Sequence, residues 1–233
     1  MNQKEKLKLH KQINTNTRRM KALIRDVKAD VVRRTQNSKD IDDWLERLSP
    51  YVNHDFLVTG IHADSMKTII GGICKSVEFS NLPKGANQEL TKGVISECCY
   101  TYVTNATREL QTEMKKIAVE TYNTPGETNR DLARKLDERI DVFDKTRCRT
   151  IARTETMRAS NLSNHIQAKA DGAMSYTVHC EDGACDYCID TYGENEDTIF
   201  DIDDTDDFPP YHPNCRCTPR YSTKTVEQRT DES

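Results

Sequence analysis

Met20, Leu23, Ile24, Val27 and Val31 recur at i, i+3, i+4, i+7 and i+11, one stripe of an α-helix, and predict helix across residues 1–35. The stripe is narrow and the positions around it are strongly basic, which suits packing against a partner helix better than burial in a globule. Ser38 ahead of Ile41, Trp44, Leu45 and Leu48 predicts a capped short helix that stops near Ser49-Pro50. Residues 51–86 hold short apolar runs punctuated by Gly60, Gly71-Gly72 and Pro83-Lys84-Gly85 and predict no single element. Leu90, Val94, Cys98, Leu110, Met114, Ile117 and Ala118 mostly keep helical spacing from about Asn87 to Tyr122, and Thr124-Pro125-Gly126 ends the run. Leu132, Leu136 and Ile140 stack at i, i+4 and i+8 in a helix from Glu127 to about Phe143. A third long helix, from about Thr146 to Ala170, sets Cys148, Ile151, Ala152, Glu155, Ala159, Leu162 and Ile166 on one face. After Asp171-Gly172 the helical spacing stops. Met174 to Val178 reads as one short strand, and a cysteine-rich, acidic stretch follows to about Tyr221.

These elements predict a mainly α-helical protein with a small C-terminal α+β module. The expected organisation is a basic helical, partner-binding region over 1–86, a domain over 87–222 whose module occupies 172–222, and a polar, disordered tail over 223–233. The chain has 233 residues, 35% of them hydrophobic and 31% charged. Typical globular domains are roughly 45–50% apolar when glycine is counted, so core material is scarce and the helical layers should be thin. The net charge of −4 conceals two unlike ends. Residues 1–35 carry eleven Lys and Arg, whereas 181–208 carry twelve Asp and Glu with no Lys or Arg. A basic arm of this kind can contact DNA or an acidic protein, whereas the acidic stretch would repel DNA.

No apolar run approaches the ~18 residues of a membrane span, so no membrane partner is expected. The N-terminus is charged from Lys4 onward and lacks the apolar run of a secretory signal. The nine cysteines are therefore expected to be thiols or metal ligands rather than a disulfide framework.

Their spacing favours metal. Cys185-Asp-Tyr-Cys188 is followed after 23 residues by His212-Pro-Asn-Cys215-Arg-Cys217. Zinc takes four thiolate and imidazole ligands in a tetrahedron, and a C-x-x-C turn supplies two of them. Cys185, Cys188, His212, Cys215 and Cys217 give five candidates, so either Cys215 or Cys217 can be the fourth, and Cys180 is a sixth candidate. A site closed by four protein ligands is structural. Zinc bound in this way is worth ~10–16 kcal/mol at neutral pH, as much as the roughly 5–15 kcal/mol that holds a whole domain together.

Other residues carry weaker signals. Glu155 lies on an apolar helix face and needs a partner among Arg147, Arg149, Arg153 and Arg158. Asn161 is placed to hydrogen-bond a neighbouring backbone, making the pair polar pins more than acid–base groups. The run Asp201 to Asp207 lacks the glycine and terminal glutamate of a calcium loop and reads as solvated. Adjacent Cys98 and Cys99 cannot both face a core. His179 would be a candidate base only in a nuclease. No phosphate-binding loop or nucleophile elbow is present.

Taken in order, Thr128, Leu132-Ala-Arg-Lys-Leu136, Arg149-Thr-Ile-Ala-Arg-Thr-Glu-Thr156, Ala159, Asn161, Gly172, Cys185-x-x-Cys188 and Pro209-Pro-Tyr-His-Pro-Asn-Cys-Arg-Cys217 resemble the C-terminal domain of the Mu F-like phage head-morphogenesis family. The resemblance covers about 115–222. It departs where relatives often carry Leu-Asp-Gly after the C-x-x-C: Thr191-Tyr-Gly193 stands here, with the acid at Asp190. The resemblance implies a minor head protein of a tailed phage or provirus, found in the virion head and in the host cytoplasm during assembly. It implies action near the portal vertex in head assembly and DNA packaging or delivery, with portal protein, major capsid or scaffolding protein as partners, and no enzymatic activity. The rival class is an enzyme, a zinc-supported nuclease of the HNH type or another effector carried in the head.

Overall fold

The computed structural model describes residues 3–53, 55–57, 60–76, 101–192 and 198–230. The elements are α1 (Gln3–Gln36), α2 (Ile41–Val52), α3 (Ala63–Ser76), α4 (Thr101–Tyr122), α5 (Asn129–Ala170), β1 (Ser175–His179), α6 (Asp186–Tyr192), β2 (Ile199–Asp201), β3 (Thr218–Ser222) and α7 (Val226–Thr230). The protein is mainly helical, with one small antiparallel sheet near its C-terminus. Two compact units divide it: one draws on residues 1–72 and 100–152, the other on 73–99 and 153–233. Helix α5 supplies residues to both.

Among the described residues, the regular elements of the first unit are all helices. Met20, Val27 and Val31 on α1 are fully buried, as are Trp44 and Leu48 on α2 and Leu110 and Met114 on α4. The α1 stripe is therefore core of its own unit, and the expectation that it packs on a partner helix is corrected. The basic flank of α1 explains how a narrow stripe is enough. Lys28 pairs with Asp137 at 3.0 Å and Asp141 at 2.8 Å, and Lys21 lies 3.6 Å from Asp144, so part of the positive charge is matched by the first half of α5.

Asp30 is the polar centre of this unit. It accepts hydrogen bonds from Tyr51 Oη at 2.6 Å and Arg34 Nε at 2.6 Å, and a third from Arg33. Burial pushes its carboxyl up, but the bonds from Tyr51, Arg33 and Arg34 outweigh that and hold it at about 2. Trp44 Nε1 donates to Thr35 Oγ1 at 3.1 Å, a second polar tie between α1 and α2.

Several boundaries differ from those the sequence predicts. Helix α2 is capped by Asp40 rather than Ser38: Asp40 accepts from the Asp43 amide at 2.9 Å while Asp43 accepts from the Lys39 amide at 2.8 Å. The helix also continues past Pro50 to Val52. The two helices expected over 127–143 and 146–170 are one, α5. The polar run Asp144-Lys-Thr-Arg147 breaks the apolar stripe, yet it contains no Gly or Pro and so nothing that stops a helix. The ambiguous stretch contains α3, and residues 226–230 of the expected disordered tail form the short helix α7. The part of the helix predicted over 87–122 that covers 87–100, including Cys98 and Cys99, lies outside the described residues.

In the second unit α5 ends on Gly172, which adopts φ +90°. The Gly172 amide bonds Lys169 O and the Ala173 amide bonds Ala168 O, so the last carbonyls are satisfied in a Schellman arrangement that favours glycine. The chain then enters β1, the central strand of a sheet ordered β2-β1-β3. Ser175 to Val178 are all buried. Pro219 offers no amide to a ladder, and it is tolerated because β3 is an edge strand. Strands β2 and β3 escaped the sequence reading because they are short and their alternation is interrupted.

A carboxyl moved from its ordinary 3.8 to about 2 stabilises the fold, once ionised, by about 2 kcal/mol. Because the folded-state value is the lower one, that contribution is present above about pH 4 and is lost as pH falls toward 2. Asp30→Asn is expected to cost about 2 kcal/mol in urea unfolding at pH 7, and its difference from wild type should vanish near pH 2.

Candidate metal centre

Two tight turns build the site. In the first, the Cys188 amide bonds Cys185 O at 3.0 Å, so that the C-x-x-C segment opens α6. In the second, the Cys215 amide bonds His212 O at 3.1 Å, with Pro213 at its second position and Asn214 at φ 66° at its third. Proline followed by a residue of positive φ is the pattern of a type II turn, and asparagine is among the few side chains that accept it.

The second turn is held by α5. Thr154 Oγ1 accepts the Asn214 amide at 3.0 Å. Asn161, one more turn-pair along the same helix face, donates from Nδ2 to Pro209 O at 3.1 Å and to Cys217 O at 3.0 Å. Both ends of the 209–217 segment are thus fixed to one side-chain amide. Next along the face, His165 stands edge-on to Phe208 with centroids 4.9 Å apart and to Tyr176 at 5.8 Å. Thr154 and His165 were not singled out from the sequence. Their spacing from Asn161, seven before and four after, is the signal that would have found them.

The five candidate ligands gather in two overlapping groups. Cys185, Cys188 and His212 form one, and Cys188, Cys215 and Cys217 the other; within each, the donor atoms lie within 4.8 Å of one another. His212 Nε2 is 3.2 Å from Cys185 Sγ and 3.1 Å from Cys188 Sγ. Sulfur and nitrogen ligands on a tetrahedral zinc lie roughly 3.5 Å apart, given metal–ligand lengths of about 2.3 and 2.0 Å, so this corner needs little adjustment to take the ion. His212 Nδ1 lies 2.8 Å from Pro213 O. A proton on Nδ1 donates to that carbonyl and leaves the Nε2 lone pair for a metal, the outer-sphere arrangement that fixes a ligating histidine.

The electrostatics of the sulfurs are uneven. A hydrogen bond from the Cys217 thiol, helped by main-chain groups of Cys217 and Tyr211 and by His212, pulls Cys215 down to about 5. The Cys217 thiol, which holds that shared proton, is pushed up, and burial lifts Cys188 to about 12. One thiolate is already favoured before any cation arrives. A soft divalent cation would displace the remaining protons, and three thiolates with an imidazole are the donors zinc takes.

Around these groups the packing is aromatic and sulfur-rich rather than aliphatic. Tyr176, Val178, Cys188, Tyr192, Cys215 and Cys217 form the buried cluster. Tyr192, four residues after Cys188, stacks on Tyr211 at 4.0 Å and donates to Asp207 at 2.6 Å.

Other candidates fall elsewhere. Glu155 is fully buried and accepts from Arg158 Nε at 3.3 Å, so Arg158, one of the four arginines considered, pairs with it. His179 ends β1 opposite Thr218 and belongs to neither ligand group among the described residues. In the acidic loop, Asp201, Asp203, Asp204, Asp206 and Asp207 are all exposed, and Asp204 O accepts from Tyr176 Oη at 2.7 Å. Gly193 and the acids at 194, 196 and 197 lie outside the described residues.

Asn161→Ala strands two buried carbonyls and is expected to destabilise the second unit by about 3 kcal/mol, against about 1 kcal/mol for Thr154→Val. Denaturant melts followed by amide exchange over 209–217 check both.

A family model described as Phage Mu protein F like protein matches residues 115–220, the C-terminal part of the chain. The match takes in α5, β1, β2, the first three residues of β3 and all five candidate ligands, and residues 1–114 and 221–233 lie outside it. No curated protein and no solved structure gives a significant match.

Proposed function

We propose that this chain is a minor head protein of a tailed phage or provirus, acting in head assembly and in DNA packaging or delivery near the portal vertex. The observation that carries the reading is that the matched region coincides with a built structural site: the residues at 154, 161, 185, 188, 212, 215 and 217 converge, and they lie within 115–220. In this reading one zinc ion is the structural bond of the second unit, where buried aliphatic side chains are few among the described residues. The surface then serves portal protein, major capsid protein or scaffolding protein as a binding face. Glu155 acts as a buried ion-pair partner of Arg158 and not as a general base, which supports a structural protein over a zinc-supported nuclease.

DNA contact, if made, falls to the exposed cations of α1. Lys21, Lys28, Arg33 and Arg34 are engaged within the chain, and Lys11, Arg18, Arg19 and Arg25 stand exposed on the helix. No helix of the described residues is long and apolar enough to cross a membrane.

Co-expression with portal and major capsid proteins, followed by particle purification, is expected to recover the chain in the particle with one zinc per copy. Absence from particles overturns the assignment to the head. Cys185→Ala with Cys188→Ala should abolish the zinc and the protection of 175–222 from amide exchange; unchanged protection overturns the structural role of the metal. Charge reversal at Lys11, Arg18 and Arg25 should weaken DNA retention at least tenfold at 0.1 M salt and flatten its salt dependence, with incorporation unchanged.

A further inference from the structure

The zinc reading above leaves one thiol too many, and its surroundings say what it is for. The β1–β3 ladder pairs Ser175 with Ser222 and proceeds without a slip to His179 opposite Thr218. The next residues in that register are Cys180 and Cys217. Facing residues of an antiparallel pair have Cα atoms about 4.5 or 5.5 Å apart, inside the span of about 4.4–6.8 Å that a disulfide bridges. The two sulfurs are 3.7 Å apart, so closing the bond to about 2.0 Å needs side-chain rotation and no change of register.

The metal ligands have a different local signature. Cys185 to Cys188 and His212 to Cys215 are both four-residue turns closed by an amide-to-carbonyl bond, at 3.0 and 3.1 Å. The first turn places both of its thiols in one ligand group, and the second gives one donor to each group, His212 to that of Cys185 and Cys188 and Cys215 to that of Cys188 and Cys217. Cys217 belongs to neither turn and follows two residues later at the mouth of β3.

We propose that Cys215 is the fourth metal ligand and that Cys217 forms a reversible cross-strand disulfide with Cys180. The oxidant is a small-molecule disulfide such as oxidised glutathione. Cys180 is half-buried and Cys217 nearly inaccessible, so Cys180 attacks first. Its thiolate breaks the glutathione S–S bond, forming a mixed disulfide and releasing one glutathione thiolate. The Cys217 thiol, giving up its proton as it attacks, then joins the Cys180 sulfur, forming the protein disulfide and releasing the second glutathione. The two protons from the protein thiols end on the two glutathiones, and the protein loses two electrons to the pair. The bond closes the end of the sheet while the metal stays bound. It remains open in a reducing cytoplasm and closes in an oxidising medium.

The test uses the full chain, purified with zinc and equilibrated over a range of reduced-to-oxidised glutathione ratios. Thiols are then trapped, linked peptides mapped by mass spectrometry, and bound zinc counted in the same samples. The expected result is a Cys180–Cys217 link with one zinc retained per chain. Cys180→Ser and Cys217→Ser should lose the link and keep the zinc, and Cys215→Ser should weaken zinc at least tenfold. A link through Cys185, Cys188 or Cys215, zinc released in step with oxidation, or no link at any ratio would overturn the proposal. So would zinc lost by Cys217→Ser and kept by Cys215→Ser. Wild-type chain without zinc would instead sink the metal reading itself, whatever link is mapped, and particle incorporation is independent of all these readouts.

Discussion

Two carbonyl groups eight residues apart, those of Pro209 and Cys217, end on the side-chain amide of a single asparagine, Asn161. That constraint determines the shape of the candidate site. The segment between them contains His212 and Cys215, and its mid-point is tied a second time through the Asn214 amide to Thr154. A loop rich in proline has few amides to pair with itself, so its geometry must be supplied from outside. Helix α5 supplies it from one face, with side chains two turns apart.

Much of this was legible in the sequence, and the parts that were not share a cause. The long helices were readable because Leu132, Leu136 and Ile140, or Met20, Val27 and Val31, repeat a period that survives any tertiary context. The five candidate ligands stood out because cysteine and histidine at short fixed intervals are rare by chance. Asn161 could be marked as a backbone pin but not matched to its carbonyls, since those lie 48 and 56 residues away and no local rule points to them. Strands β2 and β3 failed to register for the complementary reason: three and five residues, one with a proline, carry too little alternation to rise above a loop. The break placed at residues 144–147 came from reading a lapse in the apolar stripe as a helix end. A stripe reports which face is buried, whereas a helix ends where a backbone breaker or cap appears.

The charge distribution has a similar lesson. A tally of eleven cations in the first 35 residues suggests an arm reaching for an anionic partner. The fold shows that several of them neutralise carboxylates of their own unit: Lys28 lies between Asp137 and Asp141, and Arg34 closes on Asp30. The cations that stand exposed on α1, among them Lys11, Arg18, Arg19 and Arg25, are fewer than the composition implies and are rigidly spaced because the helix beneath them is anchored by a buried stripe.

The sheet has an unassuming margin. One border is a strand of three residues and the other includes Pro219, which has no amide hydrogen to offer a neighbouring chain. Neither border is a good template for another extended segment to add itself. Copies of this chain crowded side by side would therefore resist zipping together along this sheet.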